Sequence, residues 1–300
     1  DDVLDFAIDQ IITPLEINVH YNTTPSIASL KNEYDAILVS TGTHLPRPVP
    51  PFAKGFEEVE NAIEILDKIS EGTLDKDKYK GKKILVIGGS GVAIDTARSL
   101  VRFGADAALA CLESEDRTSK DGILANEEDE IGGLEENVTF YYSRGLQNVE
   151  KKNGQLHLTF ARCVSVYDIK GEQKIFNPQF DYNDLITVKT DYLIFAIGQL
   201  PDRDYLQDLP TTKDGRVDVN PLTFQVADQN IFMAGDVFRI GYASQAISAG
   251  KEAAISIARY LQGKDLFKDR YEIEYSPKPL PYPVETIARK QDHKPAIRPV

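Results

Sequence analysis

Cysteine is scarce in this 300-residue sequence: Cys111 and Cys163 stand alone, in neither a CxxC nor a CxxxxC spacing. That argues against a local metal cage or a redox disulfide between near neighbours, and leaves buried, reduced thiols as the simplest reading. Long apolar runs are missing too. The longest are strand-sized pieces such as Ile84–Ile87, far short of the ~20 residues a membrane-spanning helix needs. Cationic clusters are absent: 47 acidic residues outnumber 34 basic ones, for a formal charge of −13. Neither nucleic acid nor an anionic membrane is an expected partner of such a surface. The four histidines, His20, His44, His157 and His293, show no metal spacing, so no metal site is expected. No signal peptide is visible, and a cytoplasmic location is the default.

What remains is ordinary globular composition, 42% apolar and 27% charged, long enough for two domains with a sizeable core. Apolar residues at helical spacing predict a helix over about residues 2–13, and "LEINVHY" reads as a strand after it. A short helix, a turn at Glu33–Asp35 and a buried strand over Ala36–Val39 follow, ending in Ser40-Thr41-Gly42. The proline-rich "HLPRPVPPF" suits a crossing between domains, since it continues neither a helix nor a central strand. Beyond it a helix is expected over about 58–70. Lys83–Ile87, Val92–Phe103 and Ala107–Leu112 then form a strand–helix–strand unit. The acid-rich run Glu127–Glu136 reads as a solvated helix face. Alternation around Asn153-Gly154 predicts an antiparallel hairpin. "DYLIFAIG" is a second buried strand, ending at Gly198, and a helix closed by Gly263 follows "NIFMAGD". From there to residue 300 the proline-rich chain reads as an extended tail.

The chemistry is concentrated in "ILVIGGSGVAID". A phosphate-binding turn between a strand and a helix needs glycine first for a tight bend, glycine second for backbone approach to a pyrophosphate, and a small third residue for helix–strand packing. Those positions are Gly88, Ser90 and Ala93, with Gly89 and Gly91 interleaved and Val92 opening the helix, whose free N–H groups and dipole favour an anion. Glu113 closes the next strand, 25 positions beyond Gly88. A carboxylate there accepts from ribose hydroxyls and repels a 2′-phosphate, favouring NAD(H) over NADP(H), while Arg117 four residues on softens that preference. A ligand-free glycine turn is the structural alternative.

"YDAILVSTG", "VIGGSGVAIDTARSLVRFGA", "DYLIFAIGQLPD" and "NIFMAGDV" followed by "SQAISAGKEAAISIARYL" occur in that order. In that ordered set, over roughly residues 1–263, the chain resembles the small-subunit-type NAD(P)-dependent flavoprotein oxidoreductases of the glutamate synthase kind. The resemblance implies an α/β fold, with a Rossmann-like NAD(P)-binding domain (51–197) inserted into a partial FAD-binding three-layer domain (1–50 and 198–263), and a tail at 264–300. It implies that Thr41 and Gly42 leave the flavin domain and that Ala196 and Gly198 return to it. Gly235, Asp236, Ser244, Gln245 and Ala246 would lie along the flavin, with Asp236 on the ribityl chain. The structural alternative for Asp236 is a helix cap.

Three departures from the family pattern shape the expectation. Ser90 replaces the second glycine. "CLESEDR" stands where NADP-using members carry arginines. The first FAD fingerprint is not in this sequence, so the expectation is a fragment that binds NADH but does not hold FAD stably by itself. The implied activity is hydride transfer from NADH to FAD, with electrons passing to an iron–sulfur domain or a partner redox subunit. No side chain is expected to act as acid, base or nucleophile, because the cofactor carries the chemistry. A disulfide reductase would need two close cysteines at the flavin. The rival reading is a dinucleotide-binding module without turnover.

Overall fold

The computed structural model describes residues 2–171, 173–213, 215–268 and 270. They fall into two compact units, one built from the chain up to Gly42 and from Asp202 onward, the other from Thr43 to Pro201.

The first stretch supplies helix α1 (Asp2–Ile12), helix α2 (Ile27–Glu33) and strand β1 (Ile37–Val39). At the start of α2 the Ser26 hydroxyl accepts the N–H of Ser29 at 3.1 Å, satisfying one of the donors a helix start leaves open. The strand expected at "LEINVHY" does not form. Glu16 takes a left-handed φ of 50°, and Leu15, Ile17, Val19 and Tyr21 are exposed. Alternation meets half of a strand's requirement; the other half is a neighbour to bond.

The central unit runs through β2 (Leu45–Pro46), β3 (Val59–Asn61), α3 (Ala62–Ser70), β4 (Lys83–Ile87), α4 (Gly91–Arg102), β5 (Asp106–Ala110), α5 (Glu127–Glu135) and β6 (Thr139–Tyr141). It continues through β7 (Arg144–Lys152), β8 (Gln155–Lys170), β9 (Gln173–Thr190), β10 (Tyr192–Phe195) and β11 (Gln199–Leu200). Five strands make a parallel sheet in the order β3-β10-β4-β5-β6. On one face Ile84, Val86, Leu109 and Ile194 pack with Ile94, Ala97 and Leu100 of α4 and Ile65 of α3. On the other, Leu85, Leu193 and Phe195 meet Leu156, Leu158 and Phe160 of β8, in the antiparallel sheet β7-β8-β9. Successive residues of a strand point to opposite faces, so a strand covered on both sides reads as the unbroken apolar run "ILVI". Each such side chain contributes about 1.5–3 kcal/mol through burial.

Residues 59–61 have the helical period expected for 58–70, yet they form a strand, because parallel pairing of Val59–Asn61 with Leu193–Phe195 overrides local preference. The Asn153-Gly154 turn forms as expected, with both residues at positive φ (53° and 82°). Its second strand also pairs with β9, an 18-residue strand that the periodicity did not announce. The antiparallel pair of β2 and β11 holds both crossing segments in this unit. The boundaries therefore fall after Gly42 and Pro201, displaced from 50/51 and 197/198.

In the remaining chain, β12 (Ile231–Met233) pairs in parallel with β1, and helix α6 (Ala243–Leu261) follows. Ile37, Val39, Ile231 and Met233 share a core with Ile27, Leu206, Leu209 and Val226. Of the expected tail at 264–300, residue 269 and everything after 270 lie outside the described residues.

Candidate functional site

In the central unit the strand order reverses between β4 and β10: after β4 the chain builds outward through β5 and β6, then returns to β10 on the opposite side. A crevice opens at the carboxyl ends of strands at such a switch point. Gly88 and Ala196, the residues that follow β4 and β10, meet there. Gly88 has φ +148°, and a Cβ on it would lie 2.4 Å from the Ala196 carbonyl oxygen. Only glycine fits, which accounts for the first position of the fingerprint. Gly198 also carries a positive φ, 103°, and its carbonyl accepts the N–H of Arg47.

Ser90 is the N-cap of α4, at φ −101° and ψ 168°. That is ordinary extended backbone, so a serine at the second fingerprint position carries no conformational strain. Its side chain makes no capping bond, and helix geometry leaves the N–H groups of Gly91 and Val92 without intrahelical partners. The helix begins at Gly91, one residue ahead of Val92. Ala93 is fully buried against the sheet, the small third residue that close packing requires.

Glu113 reaches the same turn. A Cβ on Gly89 would lie 2.5 Å from its Oε2 and 3.2 Å from the Cβ of Cys111. The Glu113 carboxyl is buried (7% exposed), and that burial pushes its pKa above the ordinary value of 4.5, against the lowering pull of backbone N–H donors. Asp129, on α5, also stands close: its Oδ2 would be 3.3 Å from a Cβ on Gly91.

Arg117 is placed differently from the expectation. Its Nε donates to Glu130 Oε2 at 2.8 Å, its Nη2 bonds the same oxygen, and its Nη1 donates to the Ala125 carbonyl at 2.7 Å. Glu130 is itself buried, and its other oxygen accepts the Tyr142 hydroxyl. The run Glu127–Glu136 is therefore more than a solvated face. Glu130 points inward, and Glu136 clamps α4 through Arg98 and Arg102 at 2.6–3.0 Å. The signal available in sequence was Gly133, buried against Ile94 and Phe140, which marks the inner side of α5.

A second cleft, of about 390 Å³, lies in the other unit and is lined by Ser40, Gly42, Ala234, Gly235, Asp236, Gly241, Ala243 and Ala246. It sits beyond the carboxyl ends of β1 and β12, where the Ser40 hydroxyl donates to the Ala234 carbonyl at 3.3 Å. Gly42 and Gly235 have φ of +68° and +77°. The Asp236 carboxylate accepts the Gly241 N–H at 3.2 Å, while Tyr242 is the N-cap of α6, so Asp236 braces the loop and does not cap the helix. Gln245 turns its side chain back, accepting the Tyr242 N–H at 2.8 Å. Thr41 and Ser244 are exposed and outside the lining. Ser40, the first residue of the strand-ending Ser40-Thr41-Gly42, lines it as well, as do Ala234, Gly241 and Ala243, which the sequence did not single out; for Ala234 the end of a paired strand was the available signal.

Cys111 and Cys163 are buried free thiols, and burial pushes both pKa values up. Among the described residues, no three His, Cys, Asp or Glu side chains are grouped to hold a metal ion, and no helix is long and apolar enough to cross a membrane.

A parallel sheet with a glycine turn at its switch point and a carboxylate on that turn defines a Rossmann-like dinucleotide fold. The chain belongs to the pyridine nucleotide-disulphide oxidoreductase family, whose model matches residues 17–253. It is similar to the glutamate synthase [NADPH] small chain of Azospirillum brasilense, 27% identical over 266 residues, covering 82% of this chain and 53% of that one. It is also similar to the NAD-dependent dihydropyrimidine dehydrogenase subunit PreT of Escherichia coli (strain K12), 25% identical over 260 residues, covering 85% and 55%. The chain thus spans about half the length of these relatives. In fold it resembles thioredoxin reductase from Lactococcus lactis, with a TM-score of 0.55 at 16% identity over 76% of this chain and 66% of that one.

Proposed function

We propose that the chain is the nucleotide-binding part of an NADH-dependent flavoprotein oxidoreductase, and that it delivers electrons to an iron–sulfur domain or a partner redox subunit. The observation that carries this reading is the convergence of Gly88, Gly89, the α4 N-terminus and the Glu113 carboxylate on one crevice. In this reading the Gly91 and Val92 N–H groups bind the pyrophosphate, and the Ser90 hydroxyl, free of capping duty, stands beside them. Glu113 accepts from the adenosine ribose. Two of the named relatives, the glutamate synthase small chain and PreT, are subunits or chains of larger redox enzymes by name, which supports a redox partner in general.

The residues around the 390 Å³ cleft fit a flavin in part. Small side chains at Gly42, Ala234, Gly235, Gly241, Ala243 and Ala246 leave room for a flat ring, and Asp236 and Ser40 offer acceptors to hydroxyls. When bound, FAD supplies the acceptor for the two-electron hydride of NADH and the donor for onward transfer. The role of this chain's own groups is to hold the cofactors and exclude water; no residue here is assigned acid, base or nucleophilic work.

A second reading, a dinucleotide-binding module without turnover, is favoured by one observation: the sheet beside that cleft has only β1 and β12 among the described residues. Purified full chain should be titrated with NADH, inspected for flavin absorbance, and assayed for NADH oxidation by a one-electron acceptor with added FAD. FAD-dependent oxidation supports the oxidoreductase. NADH binding by a colourless protein without turnover supports the module, and binding of neither nucleotide overturns both.

A further inference from the structure

We infer that Glu130 is a positioning residue for nucleotide specificity, holding Arg117 away from the adenosine ribose and so preserving the preference for NADH over its 2′-phosphorylated counterpart. This rests on the nucleotide reading given above.

Discriminating for NADPH needs a cation near the ribose 2′ position, because a phosphate there demands charge-assisted hydrogen bonds. The loop from Ser114 to Ala125, which follows the ribose-binding carboxylate, carries two cations, Arg117 and Lys120. Both are committed elsewhere. Lys120 Nζ donates to the Ser165 hydroxyl at 2.8 Å and to the Tyr167 carbonyl at 2.6 Å. Arg117 is gripped by Glu130 on two nitrogens and by the Ala125 carbonyl on the third.

Arg117 is nevertheless near the glycine turn. The Ala125 N–H donates to the Gly89 carbonyl at 3.0 Å, so the peptide groups of one residue join the guanidinium to the glycine turn. The Glu113 carboxylate also approaches that turn, at Gly89. The Arg117 side chain is 30% exposed, whereas that of Glu130 is 10% exposed; the cation can leave and the carboxylate cannot follow. Glu130 is fixed from behind by the Tyr142 hydroxyl. The loop is held independently by Asp121, which accepts the Tyr167 N–H at 2.9 Å, and by Lys174, which donates to the Lys120 carbonyl at 2.8 Å. Removing the Glu130 carboxylate therefore leaves Arg117 with its bond to the Ala125 carbonyl alone and releases the Tyr142 hydroxyl, without dissolving the loop.

The test is fluorescence titration of NADH and NADPH with the full chain and its variants, alongside thermal melts. For Glu130→Ala, the ratio of NADPH to NADH dissociation constants should fall about tenfold, with NADH affinity within about twofold of the unmodified chain and the NADPH gain shrinking as salt is added. Glu130→Gln, which keeps volume and one acceptor, should give a smaller fall. The double variant Arg117→Ala/Glu130→Ala should lose the gain, because the cation responsible is gone. An unchanged ratio in folded, NADH-binding Glu130→Ala overturns the inference, as does a gain that survives Arg117→Ala. Failure of the unmodified chain to bind NADH overturns the nucleotide reading itself and is thereby distinguishable.

Discussion

The two compact units differ in how completely each covers its own sheet. In the central unit, β4 is covered on both faces, with Ile84, Leu85 and Val86 each at most 2% exposed. In the other, β1 and β12 form a two-stranded parallel pair among the described residues, and Leu38, in the middle of β1, is 41% exposed. Phe6, Ile8 and Ile11 of α1 and Ile247 of α6 are exposed as well. Parallel strands are ordinarily buried on both sides and two-stranded pairs are marginal alone. The crevice at the carboxyl ends of β4 and β10 therefore rests on a well-covered sheet, while the second cleft rests on a less covered one. Precise positioning is expected in the first and looser positioning in the second.

Substitutions can break this contrast. Gly88→Ala should have the largest effect, because the added Cβ meets backbone at 2.4 Å in a left-handed conformation; about 3 kcal/mol or more of stability should be lost, together with NADH binding, as read by denaturant melts and titration. Leu85→Ala should cost about 2–5 kcal/mol, whereas Leu38→Ala, on a half-exposed strand, should cost under ~1 kcal/mol. Similar losses for the two would contradict the contrast. Gly42→Ala is an instructive intermediate: its φ is +68° with nothing within 4 Å, so only the conformational cost of about 1–2 kcal/mol applies.

Glu113 gives a smaller effect of opposite sign. Burial holds its pKa above the 4.5 of a free glutamate, so ionising the carboxyl costs more in the folded chain than in the unfolded one. Its contribution to stability is full below 4.5 and declines as pH rises through the raised folded value. Glu113→Gln should remove that pH dependence and stabilise the chain at neutral pH, while weakening ribose binding, the exchange expected at a functional site. Melts of both proteins across mildly acidic to neutral pH provide the check. Hydrogen exchange should sharpen the comparison least invasively, with amides of β4 and β10 exchanging more slowly than those of β1 and β12.

The parts of the molecule that could be read in sequence are those whose cause is local. The strand–turn–helix from Lys83 to Arg102 announces itself through an apolar run, glycines and helical spacing, and Glu113 follows at the spacing such a turn requires. Where a distant partner decides, the local pattern does not show the outcome. Val59–Asn61 has a helix period but pairs with β10; "LEINVHY" alternates but finds no ladder. β9 contains Asn177, Pro178, Asp181 and Asn183, residues that weaken a strand signal, yet pairs along β8. The Glu130–Arg117–Tyr142 bonds were hidden for the same reason, since an acid-rich helix looks solvated until its inner face is known.

The role of the Glu113 carboxylate is read most directly by titrating the unmodified chain and Glu113→Ala with NADH and NADPH. The unmodified chain should bind NADH more tightly than NADPH, by about tenfold for ~1.4 kcal/mol of charge repulsion, and Glu113→Ala should show a narrower gap. Equal affinities for the two nucleotides in the unmodified chain would contradict it.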